Sequence, residues 1–129
     1  MMDFSLILSD LDGPLFHDDK TISAYSKQVL AQVQKKGVLF GISTSRAMVN
    51  AVKFLDGISP DVFITNGGGM VFYRGKKIYS CEFSVCEVRA IIKAAFAVLG
   101  NDAVLSVDNE DGLYSNSRDE LGDKFWTFN

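Results

Sequence analysis

Apolar positions along the chain fall into short runs separated by longer amphipathic stretches. Phe4 to Ser9 (FSLILS) is a compact apolar run that ends at acidic residues, which predicts a buried strand leading into a functional loop. Ser23 can cap a helix through about Lys36. Tyr25, Val29 and Val33 recur every four residues as its apolar stripe, and Gly37 supplies the stop. Val38 to Ser43 (VLFGIS) reads as a second buried strand, and a helix is expected over Arg46 to Leu55 directly after it. Asp61 to Thr65 (DVFIT) is a third strand, closed by Asn66-Gly67-Gly68-Gly69. Strand and helix alternate, so the pattern favours an α/β fold with a parallel, helix-covered sheet.

The pattern then changes. Met70 to Arg74 and Lys77 to Cys81 flank Gly75-Lys76 and predict a hairpin. Ser84 to Leu99 is helical by its spacing: Val85, Val88, Ile92, Phe96 and Leu99 share one face, and Gly100 ends it. Ala103 to Val107 and Leu113 to Ser117 are expected as two more strands, joined through Asp108-Asn109-Glu110-Asp111-Gly112. The segment through Trp126 to Asn129 shows no clear period. A soft boundary falls near residue 83, and the chain holds no internal repeat.

Composition narrows the functional classes. The 129 residues fit one ordinary domain, and 47% hydrophobic content is enough for a core. A net charge of −3 gives no general attraction to nucleic acid or anionic membrane, and like charges occur only in pairs such as Lys35-Lys36. No apolar run approaches the roughly 20 residues that span a bilayer, and the start lacks a signal-peptide pattern. Cys81 and Cys86 are too far apart for a CxxC motif; with one histidine in the chain they read as half-buried thiols in a reducing cytoplasm.

Three segments could carry chemistry. Asp10 and Asp12 follow the first strand, at the edge where open parallel sheets bind ligands. Two carboxylates so close call for a cation, and oxygen ligands on a turn suit Mg²⁺. One carboxylate can attack phosphorus while the other moves protons; a simple turn cap is the competing reading. Thr44 and Ser45 follow the second strand and offer hydroxyls and N–H groups to a phosphate oxygen, with Arg46 in the same turn, but both are also ordinary helix caps. Asn66-Gly67-Gly68-Gly69 allows close backbone approach, or simply a tight connection. Their force comes from position: three successive parallel strands bring them to one edge. His17 reads as loop surface. Asp108, Glu110 and Asp111 lack the spacing of a calcium loop and read as a hairpin turn.

Taken in order, these segments resemble a known series. Leu6-Ile7-Leu8-Ser9-Asp10-Leu11-Asp12-Gly13 resembles motif I of haloacid-dehalogenase-type (HAD) phosphatases. Gly41-Ile42-Ser43-Thr44-Ser45-Arg46 resembles the motif II region, and Ile64-Thr65-Asn66-Gly67-Gly68 the Asn-Gly turn, of the Cof-type subclass IIB. The resemblance implies a Rossmannoid parallel sheet, with a partial core over 1–82 and a partial α+β cap segment over 83–129. It implies Asp10 as nucleophile, Asp12 as acid/base, and Mg²⁺ bound by the Asp10 carboxylate and the Asp12 carbonyl. Thr44, Ser45 and Arg46 would hold phosphate, and Asn66 and Gly67 would line the substrate side. The implied partner is a small phosphorylated substrate, such as a sugar phosphate.

Two departures shape the expectation. Pro14 stands where the family has Thr, removing a hydroxyl and a backbone donor. The motif III lysine and motif IV acids have no counterpart after residue 82. Less positive charge would then offset the reacting oxyanions, and Mg²⁺ would lose ligands. The expectation is a truncated chain with little phosphatase activity by itself, which self-associates as a homodimer or is completed by another chain. Phosphoryl transfer within a sugar is the close chemical variant, and a non-catalytic phosphate- or metal-binding module is the alternative.

Overall fold

The computed structural model describes residues 4–117 and 124–125. Two sheets form. The larger has five strands in the order β1 (Leu6–Ser9), β2 (Leu39–Ser43), β3 (Val62–Thr65), β4 (Met70–Tyr73) and β5 (Lys76–Ser80). β1, β2 and β3 run parallel, whereas β4 and β5 are antiparallel additions. Helix α1 (Ala24–Lys35) links β1 to β2, and the short α2 (Met48–Ala51) with a 3-10 turn at Val52–Phe54 links β2 to β3. This is the HAD-like Rossmannoid arrangement. A long helix, α3 (Val85–Leu99), leads to the smaller sheet of β6 (Ser106–Asn109), β7 (Gly112–Ser115) and β8 (Lys124–Phe125).

One face of the large sheet carries the core. Phe40, Ile42 and Phe63 pack there against Leu11, Phe16 and Ile22 from the loop after β1, and against Ala51, Leu55 and Ile58 beyond β2. Side chains of both neighbouring strands close over Gly41. A Cβ on Gly41 would stand 2.6 Å from Leu8 Cδ2 and 2.9 Å from Val62 Cβ, which is closer than packed atoms tolerate. The far ends of the strands are tied by Asp61. Its carboxylate accepts hydrogen bonds from Gln34 Nε2 (3.0 Å), the Phe40 N–H (3.2 Å) and Arg74 Nε (3.3 Å). These bonds, Gln34 first, hold the Asp61 carboxyl below its ordinary value of 3.8.

Several elements differ from the sequence expectation. β1 is not buried: Leu6, Ile7 and Leu8 are 40%, 37% and 44% exposed. It pairs only with β2 in the described sheet, so it is an edge strand. Tyr25 and Val29 of α1 are exposed as well, because the helix rests on the sheet through Leu30 instead. Of the α3 stripe only Ile92 is buried, while Val85 and Leu99 are exposed. The expected helix over Arg46 to Leu55 begins only at Met48 and turns 3-10 after Ala51. The hairpin turns at Arg74-Gly75, both with positive φ, not at Gly75-Lys76. β6 and β7 close through Glu110-Asp111, so Asp108 and Asn109 belong to a strand rather than a loop. Cys81 and Cys86 are exposed thiols. Trp126 and Phe128 lie outside the described residues.

Other expectations hold. Ser23 caps α1 through the Ser26 N–H at 2.9 Å. Ser84 and Glu87 form a reciprocal capping box on α3, and Gly100 ends that helix at φ 91°. Among the described residues no helix is long and apolar enough to cross a membrane.

Gly41→Ala is expected to destabilise the fold by about 1–3 kcal/mol in urea unfolding, through overpacking between β1 and β3. Asp61→Asn is expected to destabilise at neutral pH. Because the folded carboxyl is lowered, its contribution is present above pH 3.8 and is lost as pH falls through the lowered value. The stability gap between parent and variant therefore narrows in acid, and a gap that widened below pH 3.8 would contradict the pairing.

Candidate active site

The loop after β1 is built around Leu11. Its side chain is fully buried, so the flanking Asp10 and Asp12 point outward and both are exposed. Asp10 Oδ1 accepts the Leu11 N–H at 2.7 Å, and the Ser9 hydroxyl donates to the Asp10 carbonyl at 2.8 Å. Gly13 adopts φ 101°, open to glycine and strained for other residues. Pro14 is exposed, and the loop closes by Phe16 N–H to Leu11 O at 3.0 Å. That closure needs no donor from residue 14, so proline is compatible with this turn.

The segment after β2 is zipped to the turn after β3 by backbone bonds. The Thr44 N–H donates to Ile64 O at 2.9 Å, the Gly67 N–H to Thr44 O at 3.2 Å, and the Asn66 N–H to Arg46 O at 3.0 Å. Thr44 is buried, and its hydroxyl oxygen accepts the Arg46 N–H at 3.1 Å. These bonds pull residues 44–46 out of helical geometry. Thr44 and Ser45 are therefore not helix caps, and Ala47 is the residue that precedes α2. α2 itself is only four residues long and its cap, Ala47, makes no side-chain cap bond. Ser45 is exposed.

Arg46 and Asp12 meet across the two loops. Arg46 Nε lies 3.0 Å from Asp12 Oδ2, and Nη2 lies 3.0 Å from Asp12 Oδ1. The guanidinium stacks 4.9 Å from the centre of the Phe54 ring, and Phe54 in turn packs on Phe16 with ring centres 5.8 Å apart. Lys20 Nζ adds a third contact, 2.7 Å from Asp12 Oδ1. Arg46 above all, then Lys20, lower the Asp12 carboxyl to about 2. Its side chain is 39% exposed, and exposed pairs contribute on the order of 1 kcal/mol or less. The arrangement therefore sets charge and geometry more than stability.

Asn66 turns toward the small sheet. Its Nδ2 donates to Asp108 Oδ2 at 2.8 Å and to Asn109 O at 3.2 Å. Lys77 pairs with Glu110 beside it. A cleft of about 470 Å³ opens here, lined by Asn66, Met70, Lys77, Glu82, Phe83 and Asp108 among others. Thus Asp12 and Arg46 are in direct contact, and Thr44, Arg46, Asn66 and Gly67 form one backbone-linked unit. The Asn66 side chain instead reaches the small sheet. Sequence reasoning missed Lys20, Phe54 and Asp108. Lys20 and Phe54 belong to no motif, and Asp108 became legible only once the hairpin was shown to close at Glu110-Asp111.

A family model for haloacid dehalogenase-like hydrolases matches residues 7–128. The chain belongs to that family. A protein of Buchnera aphidicola subsp. Baizongia pistaciae, provisionally named a phosphatase, is 26% identical over 113 residues, covering 86% of this chain and 42% of the relative. Among solved structures, BT1666 of Bacteroides thetaiotaomicron, described among phosphatases of the HAD superfamily, matches with a TM-score of 0.75 at 22% identity. That match covers 88% of this chain and 42% of that one. A haloacid dehalogenase-like hydrolase of Bacillus subtilis matches with a TM-score of 0.74, also at 22% identity, covering 88% of this chain and 40% of that one. The chain therefore spans well under half the length of these relatives.

Arg46→Ala removes the largest influence on Asp12. In metal-free buffer, the Asp12 carboxyl titration followed by NMR is expected to move from about 2 toward its ordinary 3.8. An unchanged midpoint would show that the pair does not form in solution.

Proposed function

We propose that this chain carries the phosphate-handling part of a Mg²⁺-dependent phosphatase that acts on small phosphate monoesters through an aspartyl-phosphate at Asp10. In this reading residues 1–82 supply the chemistry, residues 83–129 contribute to substrate contact, and the substrate is a small phosphorylated compound of the cytoplasm. The observation that carries the proposal is convergence. Asp10, Thr44 and Asn66 each follow one of three successive parallel strands, so their loops share the edge where such sheets bind ligands.

The Asp10 carboxylate oxygen attacks phosphorus as the bond to the leaving oxygen breaks. Water then attacks the phosphorus, releasing phosphate and restoring the carboxylate. Thr44 and Arg46 meet the phosphoryl oxygens, with Ser45 and the Gly67 turn beside them. Arg46 and Lys20 hold Asp12 as an anion and a weak base; it takes the proton of the attacking water once Arg46 turns to the phosphoryl oxygens. The leaving oxygen then draws its proton from solvent, which favours esters with good leaving groups.

The donor set at the edge is all oxygen: the Asp10 carboxylate and the Asp12 carbonyl. Among the described residues no group of three His, Cys, Asp or Glu could hold a metal. Two hard ligands fit a cation that keeps most of its water, as Mg²⁺ does, and they bind it weakly. When bound, Mg²⁺ supplies charge neutralisation for the phosphoryl oxygens.

A second reading, a phosphate-binding module without turnover, is favoured by the same two cations on Asp12, since they remove the proton that an acid must donate.

Incubating the purified chain with an aryl phosphate and Mg²⁺, followed by acid quenching and peptide mass spectrometry, separates the two. One phosphoryl group on Asp10, absent from Asp10→Asn, is expected. Phosphate binding with no adduct would favour the binding module and sink the phosphatase reading.

A further inference from the structure

Lys20 lies outside every motif, yet its ammonium stands on the acidic centre. Nζ is 2.7 Å from Asp12 Oδ1, the same oxygen that takes Arg46 Nη2 at 3.0 Å. One carboxylate therefore carries two cations.

The backbone that delivers this ammonium is fixed independently of it. The Lys20 N–H donates to His17 O and the His17 N–H to Thr21 O, both at 2.9 Å. Asp19 Oδ1 accepts from the Thr21 N–H at 3.0 Å and from its hydroxyl at 2.6 Å. Phe16 and Ile22 anchor the two ends of the loop in the core. Within this turn Lys20 takes φ 63°, a left-handed conformation that glycine adopts freely and a Cβ-bearing residue does not. The turn by itself would be better served by glycine. What lysine adds is the charged end, on a long, flexible type of stem that is 47% exposed. Arg46, backed by Phe54, is the less exposed of the two cations.

We propose that Lys20 and Arg46 form a two-cation clamp for the phosphate oxygens of the ligand, and that Asp12 is the internal anion which phosphate displaces from it. The ligand class rests on the phosphatase reading above. A phosphate dianion carries more charge than a carboxylate and presents three oxygens, so it competes well for a guanidinium and an ammonium held side by side. Lys20 thereby acts as a phosphate-binding residue, and its transfer to the ligand releases Asp12 from its ion pairs.

The test is calorimetric titration of inorganic phosphate into the chain at low salt without Mg²⁺. Lys20→Met is expected to weaken phosphate binding by about five- to ten-fold, a charged contact discounted for exposure, and Lys20→Arg to retain most of the affinity. Lys20→Gly is expected to lose affinity as Lys20→Met does while resisting urea at least as well as the parent, which a purely structural lysine would not allow. Asp12→Asn, which removes the competing anion, is expected to tighten phosphate binding, and to do so less in the Lys20→Met background. Undiminished binding in Lys20→Met, weakened binding in Asp12→Asn, or no phosphate binding by the parent would overturn the clamp. An Asp10 adduct combined with Lys20-independent binding would remove the clamp and leave the phosphatase reading standing. Lys20-dependent binding without an adduct would support the clamp and remove the phosphatase reading.

Discussion

Three parallel strands frame the candidate site, and at Gly41 on the middle strand the neighbouring Leu8 and Val62 leave no room for a Cβ. In the register of these strands Leu8 stands opposite Gly41, and Gly41 opposite Val62. The register in turn fixes where each strand stops. Because the stops are level, the loops beginning at Asp10, Thr44 and Asn66 emerge as neighbours, and their backbone groups can satisfy one another. Thr44 N–H reaching Ile64 O, and Gly67 N–H reaching Thr44 O, are consequences of that alignment. A slip of one residue would turn every strand side chain to the opposite face and dissolve the bonds between the loops.

On this frame the charges are unevenly shared. The Asp10 carboxylate accepts the Leu11 N–H, whereas that of Asp12 gathers Arg46 and Lys20. Two carboxylates separated by one buried leucine thus have different electrostatic lives. The first meets a backbone N–H, and the second is held as an anion by two cations. Unequal environments of this kind are how a pair of like groups acquires separate roles.

The core strands and the order of the loops were legible in the sequence because each rests on local spacing, whereas the Asp12–Arg46 pair, 34 residues apart, was not. Val62 to Thr65 must be a strand by its composition, and Ser84 with Glu87 must start a helix. The burial of β1 was not legible, since an apolar run reads alike at the centre and at the edge of a sheet. Nor was the early end of helical geometry around residues 44–47, where long-range bonds from β3 and its following turn override local preference. Lys20 was hidden because its meaning depends on a turn that carries it back eight residues to Asp12. Asp108 was hidden because its strand register, and with it the bond to Asn66, was set by the far hairpin.

Phe54 belongs to two worlds. One side of its ring meets Phe16 in the oily interior, and Arg46 lies over the ring at the charged mouth. Packing and electrostatics therefore share an atom set. A drift in the size or tilt of interior residues would be felt at the mouth as a displaced guanidinium, even with no charged residue altered. Core packing around Phe16 and the placement of the Arg46 charge are thus coupled through one ring.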